Sequence, residues 1–205
     1  MLEFSSDIAF TDVVKAIQSR KGSRPSYSNM EENGGWATEI TPDIAAYISA
    51  QRSFFLATAN AQGQPYIQHR GGPPGFLKVL DTKTIAFADY KGNRQFISQG
   101  NLEENSKAFI FLIDYMMKTR VKIWGTAEVI EDDPELLASL MPNRQEYRAI
   151  PEQVIRFTVE AYDQNCPQHI PQRFDADNVA RALGNKDKRI AELEQQLELL
   201  KSNPS

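Results

Sequence analysis

At 205 residues the chain can bury one good-sized core with terminal additions, but not two. A 41% hydrophobic and 24% charged composition is ordinary for a globular protein, and a net charge of −4 with no polybasic stretch excludes nucleic-acid binding as its main business. No apolar run nears the ~18 residues of a membrane span, the start lacks the basic and apolar regions of a signal peptide, and the single Cys166 cannot close an intramolecular disulfide; a soluble, cytoplasmic protein is expected, with neither membrane nor nucleic acid as partner.

From the N-terminus, Val13, Val14 and Ile17 share one helical face and Thr11 is placed to cap the start, which predicts a short helix. Residues 22–35 are polar and rich in turn formers, as in an excursion over the surface or over a partner subunit. Thr41-Pro42-Asp43 reads as a helix start leading into Ile44 to Ala50. Phe54 to Ala59 and Tyr66 to Arg70 then form a hairpin around the turn Asn60 to Pro65.

The next stretch, His69-Arg70-Gly71-Gly72-Pro73-Pro74-Gly75-Phe76, combines three glycines, which permit positive φ and close backbone approach, with two prolines that stiffen the path. With Arg70 at its mouth, it reads either as a wrap around a flat, anionic ligand or as a stiff turn with a solvated arginine.

Strands follow at Phe76 to Leu80 and Thr84 to Ala88, and a short helix at Gln95 to Gln99. Ala108 to Ile113 is an unbroken apolar run, expected as a strand buried on both faces. Arg120 to Ile130 alternates as a long strand, Asp132-Asp133-Pro134 opens a helix, and Val154 to Tyr162 is a last strand. Six or seven closely spaced strands with hairpin-length turns predict a mainly β fold, an antiparallel β-barrel with flanking helices. In the tail, Ile190, Leu193, Leu197 and Leu200 follow a three-four-three spacing. Such a C-terminal amphipathic helix packs on its own barrel or pairs as a coiled coil across a dimer axis.

Five blocks, in order and spacing, resemble the pyridoxamine 5′-phosphate oxidase-like FMN-binding proteins: Phe55 to Ala59 with Gly63-Gln64-Pro65, His69 to Phe76, Asp89-Tyr90 with Gly92-Asn93-Arg94, Asn101-Leu102, and Val121 to Gly125. The resemblance covers roughly residues 45 to 162. It implies an antiparallel FMN-binding split barrel that forms a homodimer, with FMN at the subunit interface and a small-molecule substrate. The corresponding division is 1–44 as an N-terminal helix and surface excursion, 45–174 as the split-barrel domain and 175–205 as the C-terminal helix.

FMN carries a phosphate dianion and a large planar ring, so its site needs cations and N–H groups at one end and flat surfaces at the other. Arg70 is the first candidate for the phosphate or the ring edge, and Asn93 with Arg94, before a helix start, is the second. Gly71 and Gly72 would let the main chain lie against the ring, with Pro74 and Phe76 shaping its wall. Lys78 would reach the phosphate only from an inward-facing position; Arg120 is a further cation. Trp124, on one strand face with Lys122, is an aromatic neighbour of the flavin or a structural core residue. His69 approaches the flavin or is a packed strand residue. Cys166 and His169 have the spacing of half a zinc site, but no second pair exists, so no metal is expected.

The resemblance implies an FMN-dependent oxidoreductase. Pyridoxamine phosphate oxidation itself is not expected, because the segment Pro167 to Phe174 replaces the substrate-holding C-terminal strand region of the name-giving oxidases; His169 and Arg173 are loose candidates for an analogous role. The alternatives are a flavin-storing protein, or a haem or deazaflavin binder on the same barrel.

Overall fold

A computed structural model describes residues 3–142, 147–165 and 167–202; Cys166 and the side chain of Leu200 lie outside the described residues. Two units are distinguished: one holds the residues up to Ile113 and from Arg120 to Asn165, the other Asp114–Thr119 and the residues from Pro167 on.

The first unit is built on a seven-stranded antiparallel sheet. Its strands are β1 (Ser53–Ala59), β2 (Pro65–Gly71), β3 (Leu77–Val79), β4 (Thr84–Tyr90), β5 (Lys107–Asp114), β6 (Thr119–Ile130) and β7 (Pro151–Asn165), in the order β2-β1-β5-β6-β7-β4-β3. The sheet curls into a split barrel: Arg70, on the β2 edge, forms an ion pair with Asp89 on β4, five strands away in the sheet order. The concave face carries the core, including Phe54, Leu56, Ile85, Phe87, Ile110, Leu112, Ile123 and Phe157.

The first unit also holds the helices α1 (Asp12–Lys21), α2 (Arg24–Glu32), α3 (Pro42–Ala50), α4 (Ile97–Glu104) and α5 (Pro134–Leu140). The second unit holds α6 (Ala176–Ser202). The expected caps Thr11 and Thr41 form, accepting from the N–H groups of Val14 and Ile44, and Asp133 caps α5 by accepting from Leu136 N–H. α5 buries Leu140 against Ala86, Ala88 and Val154 on the far side of β4 and β7.

Three expectations change. The strand β5 is buried on one face only: Ala108, Ile110 and Leu112 are covered, while Phe109, Phe111 and Ile113 are half-buried on the convex side. α1 does not bury its apolar face; Val13 and Ile17 are exposed, and the residue it buries is Gln18, which accepts from Arg24. The polar stretch within 22–35 contains a helix, α2, because its Arg24 and Glu31 pair in a buried network completed by Ser6. Polar groups, satisfied by one another, hold this N-terminal layer together.

Candidate cofactor cleft

The site begins with the alternation of β2. Arg70 pairs in register with Phe54, and Gln68 with Leu56, so Arg70, Gln68 and Tyr66 share the concave face. Ile67 and His69 point the other way. At the end of β2 the chain turns through Gly71 to Phe76, pinned by Gly72 N–H to Arg52 O (3.0 Å) and Gly75 N–H to Ser49 O (2.7 Å). Only Gly75 of the three glycines has positive φ. Gly72 is bare for a different reason: a Cβ there would come within 2.7 Å of the Phe76 side chain. Phe76 is 1% exposed and stacks on Phe54, so it is a core residue rather than the wall of a ligand site.

Arg70 enters a small cleft between β2, β4 and the start of α4. The cleft has about 50 Å³ of free space and is lined by Tyr66, Gln68, Arg70, Asp89, Tyr90, the loop Gly92 to Gln95, the first turn of α4, Glu152 and Gln153. Asp89 receives Arg70 and, at 3.1 Å, the Gln153 side-chain amide. Burial pushes the Asp89 carboxyl above its ordinary value, and Arg70 and Gln153 offset this only in part. Burial likewise raises the Tyr90 phenol to about 12. Among the described residues, the buried side-chain polar atoms without a partner are Arg70 Nε and Tyr90 Oη. Both residues line this cleft.

The far wall is strained. Arg94 and Phe96 both take left-handed backbone, with φ of 58° and 54°, a conformation that costs a non-glycine residue about 1 kcal/mol or more. Arg94 lies 3.4 Å from Glu152 in a half-exposed ion pair and over the Phe96 ring. Asn93 accepts from Gln95 N–H. Phe96 and Ile97 are left exposed at the mouth.

Arg70, Asn93 and Arg94 are thus brought together, and the other candidates stand elsewhere. Gly71 ends β2, and its carbonyl faces the Tyr147 hydroxyl at 3.4 Å. Lys78 pairs with Ala86 on the face covered by α5, where its ammonium donates to Ser139 O at 2.6 Å. His69 lies on the convex face against Phe55. Arg120 lies near the start of β6, in register with Asn165. Trp124 is on the convex face, stacked on Trp36 at 4.5 Å and edge-on to Phe109. A larger hollow of about 560 Å³ lies beside that stack, but its charged lining groups, Lys122 and Asp163, pair with each other at 3.0 Å.

Sequence reasoning passed over Tyr66, Gln68, Asp89 and Gln153. The signal for the first two was present, since they have the parity of Arg70. Asp89 stood in one of the blocks that carry the resemblance but with no role read for it, and Gln153 had no signal, because the curl of the sheet alone brings β4 and β7 to the end of β2.

A family model described as pyridoxamine 5′-phosphate oxidase matches residues 40–166, more than half of the chain. The chain belongs to the pyridoxamine 5′-phosphate oxidase family. All the cleft residues fall inside the matched stretch; α1, α2 and α6 fall outside it.

Among solved structures, HupZ of Group A Streptococcus is 20% identical over 65% of this chain and 99% of its own, with a TM-score of 0.50, a likeness of fold. An FMN-binding protein from Syntrophomonas wolfei is 11% identical over 75% of this chain and 97% of its own (TM-score 0.47). The haem storage protein HutZ of Vibrio cholerae is 18% identical over 60% and 93% (TM-score 0.44). No curated protein matches the sequence. No helix among the described residues is long and apolar enough to cross a membrane.

Proposed function

We propose that the chain is a flavoprotein that binds FMN with its phosphate in the Arg70 cleft and works as an oxidoreductase on a small molecule. The observation that carries this is the buried Arg70 Nε–H, a donor without an acceptor on a residue that lines the cleft. Leaving such a donor unmet costs about 1–3 kcal/mol, which an anion there would recover. The cleft around Arg70 is small, so a flavin ring would lie outside it, against the exposed Phe96 and Ile97.

Bound FMN would supply hydride and electron transfer. The protein's own groups do the rest. Two cations, Arg70 and Arg94, are at present balanced by Asp89 and Glu152. A dianion therefore needs Arg94 to leave its exposed, 3.4 Å partner, which costs little. It also needs the Asp89 carboxylate neutralised, and a carboxyl already raised by burial takes a proton readily. Arg70 then turns from Asp89 to the phosphate.

The convex face is the surface a second copy would cover in a homodimer. Ile67 is 62% exposed there, in register with Ala57, beside half-buried Phe55, Phe109 and Phe111.

The test is FMN titration of purified protein. Arg70→Ala should weaken binding at least tenfold, about 1.4 kcal/mol, and Lys78→Ala should leave it unchanged. Equal affinity in wild type and Arg70→Ala would remove the assignment. Steady oxidation of a nicotinamide by the loaded protein would then distinguish an enzyme from a carrier.

A further inference from the structure

The helix α6 runs 27 residues, from Ala176 to Ser202. From Asn185 to Leu199 every residue is exposed, on all sides of the helix. Its apolar side chains are not scattered. Val179, Leu183, Ile190, Leu193 and Leu197 are 42% to 55% exposed, and with Lys186 they follow a strict four-three alternation. This is a heptad pattern with Leu183, Ile190 and Leu197 at a, and Val179, Lys186 and Leu193 at d. Helices owe most of their stability to burial of such a stripe, so this one is built for a partner.

The charges beside the stripe identify it. In a parallel pair of identical helices, a g residue faces the e residue of the partner's next heptad. Here that sets Arg189 against the second copy's Glu194, twice by symmetry. A d side chain packs beside the partner's e residue, which sets Lys186 against the second copy's Asp187, again twice. The antiparallel arrangement that keeps the same apolar layers instead places Asp187 against Glu194, like against like. Ile at a followed by Leu at d, as in Ile190 and Leu193, favours two strands; Lys186, at d, meets its own counterpart in the parallel pair, a like-charge layer that costs stability and that the two Asp187 carboxylates offset. Among the described residues Arg189 pairs with Glu192 of its own helix, with both side chains 61% exposed, an ion pair that is easily exchanged.

We infer that α6 pairs with α6 of a second copy of this chain as a parallel, two-stranded coiled coil held in register by Lys186–Asp187 and Arg189–Glu194 pairs. The inference rests on α6 alone and does not depend on flavin binding.

Disulfide trapping in the full chain tests it. With Cys166, the sole native cysteine, changed to serine, Lys186→Cys places a thiol in the seam and Lys188→Cys places one on the outer side. The two variants remove the same charge, and neither removes an apolar group. Under mild oxidation Lys186→Cys should form a disulfide-linked dimer at least tenfold faster than Lys188→Cys. Adding Arg189→Glu to Lys186→Cys should slow the reaction, and adding Glu194→Arg as well should restore it. Equal rates at 186 and 188 would overturn the pairing. Cross-linking of Lys186→Cys only when mixed with Leu197→Cys would show antiparallel helices, and no recovery in the double charge swap would overturn the register.

Discussion

Arg70 and Asp89 form the pair on which the proposed chemistry turns. Asp89 holds its proton to a higher pH than a free aspartate, whose value is 3.8, because burial penalises the carboxylate more than Arg70 and Gln153 favour it. In the flavin-free chain this makes the contribution of Asp89 to stability greatest below 3.8 and lost as the pH rises through the folded value. An anion at Arg70 adds repulsion to the carboxylate, so FMN affinity should rise as the pH falls through the raised Asp89 value. Asp89→Asn should flatten that dependence. Equilibrium dialysis across the acid range checks both, and a wild-type profile as flat as that of Asp89→Asn would contradict the proton step. Arg70, Asn93 and Arg94 were legible in the sequence because a strand end, glycines and a helix start lie beside them. The counter-ion of Arg70 was not legible, because it depends on how far the sheet curls. Nor was the side to which Lys78 points, since parity cannot be carried across Gly71 to Phe76.

At the scale of elements, the glycine-proline loop is a device for seating Phe76 and ending β2 at Arg70. Phe76→Ala should therefore cost about 3–5 kcal/mol by denaturant melting, as large-to-small changes in a packed core do, and a loss below about 1 kcal/mol would refute the core role. Gly125 serves the sheet in a related way. The β6–β7 register shifts between Trp124 and Gly125, and a Cβ at Gly125 would lie 2.0 Å from Thr158 O, a clash that only backbone movement relieves. The strands and the capped helices α1, α3 and α5 were readable from alternation and from Thr11, Thr41 and Asp133. α2 was not, because its Arg24–Glu31 pair is completed by Ser6, 25 residues away, and the nearby Lys15–Asp7 pair ties α1 to the chain before it.

Those ion pairs give the N-terminal layer its own pH limit. Asp7 is held below its ordinary value by Lys15 and by backbone N–H groups. Burial alone would raise Glu31, but Arg24 and Ser6 outweigh it and hold it low as well. Carboxyls lowered by folding stabilise above their free values and lose that contribution as the pH falls through the lowered ones. Below about pH 4 the layer should loosen. The chain's two tryptophans, Trp36 and Trp124, are stacked across it, so their emission should change before the far-ultraviolet signal of the sheet is lost. A single coincident transition would contradict this.

For the whole molecule, a curled sheet of the pyridoxamine 5′-phosphate oxidase family presents a concave face that is filled and a convex face that is half-covered. An unbroken apolar strand such as Ala108 to Ile113 reads as buried on both sides, and within one chain it is not. The apolar excess of Phe109 and Phe111 belongs to the same surface as Phe55 and Ile67, where the proposed second copy would sit. Colour tests the central claim most directly. The visible spectrum of the purified full-length protein should show a flavin band, release FMN on denaturation at one per chain, and lose that band in Arg70→Ala. A haem Soret band in its place, or a colourless protein that takes up no FMN on titration, would contradict it.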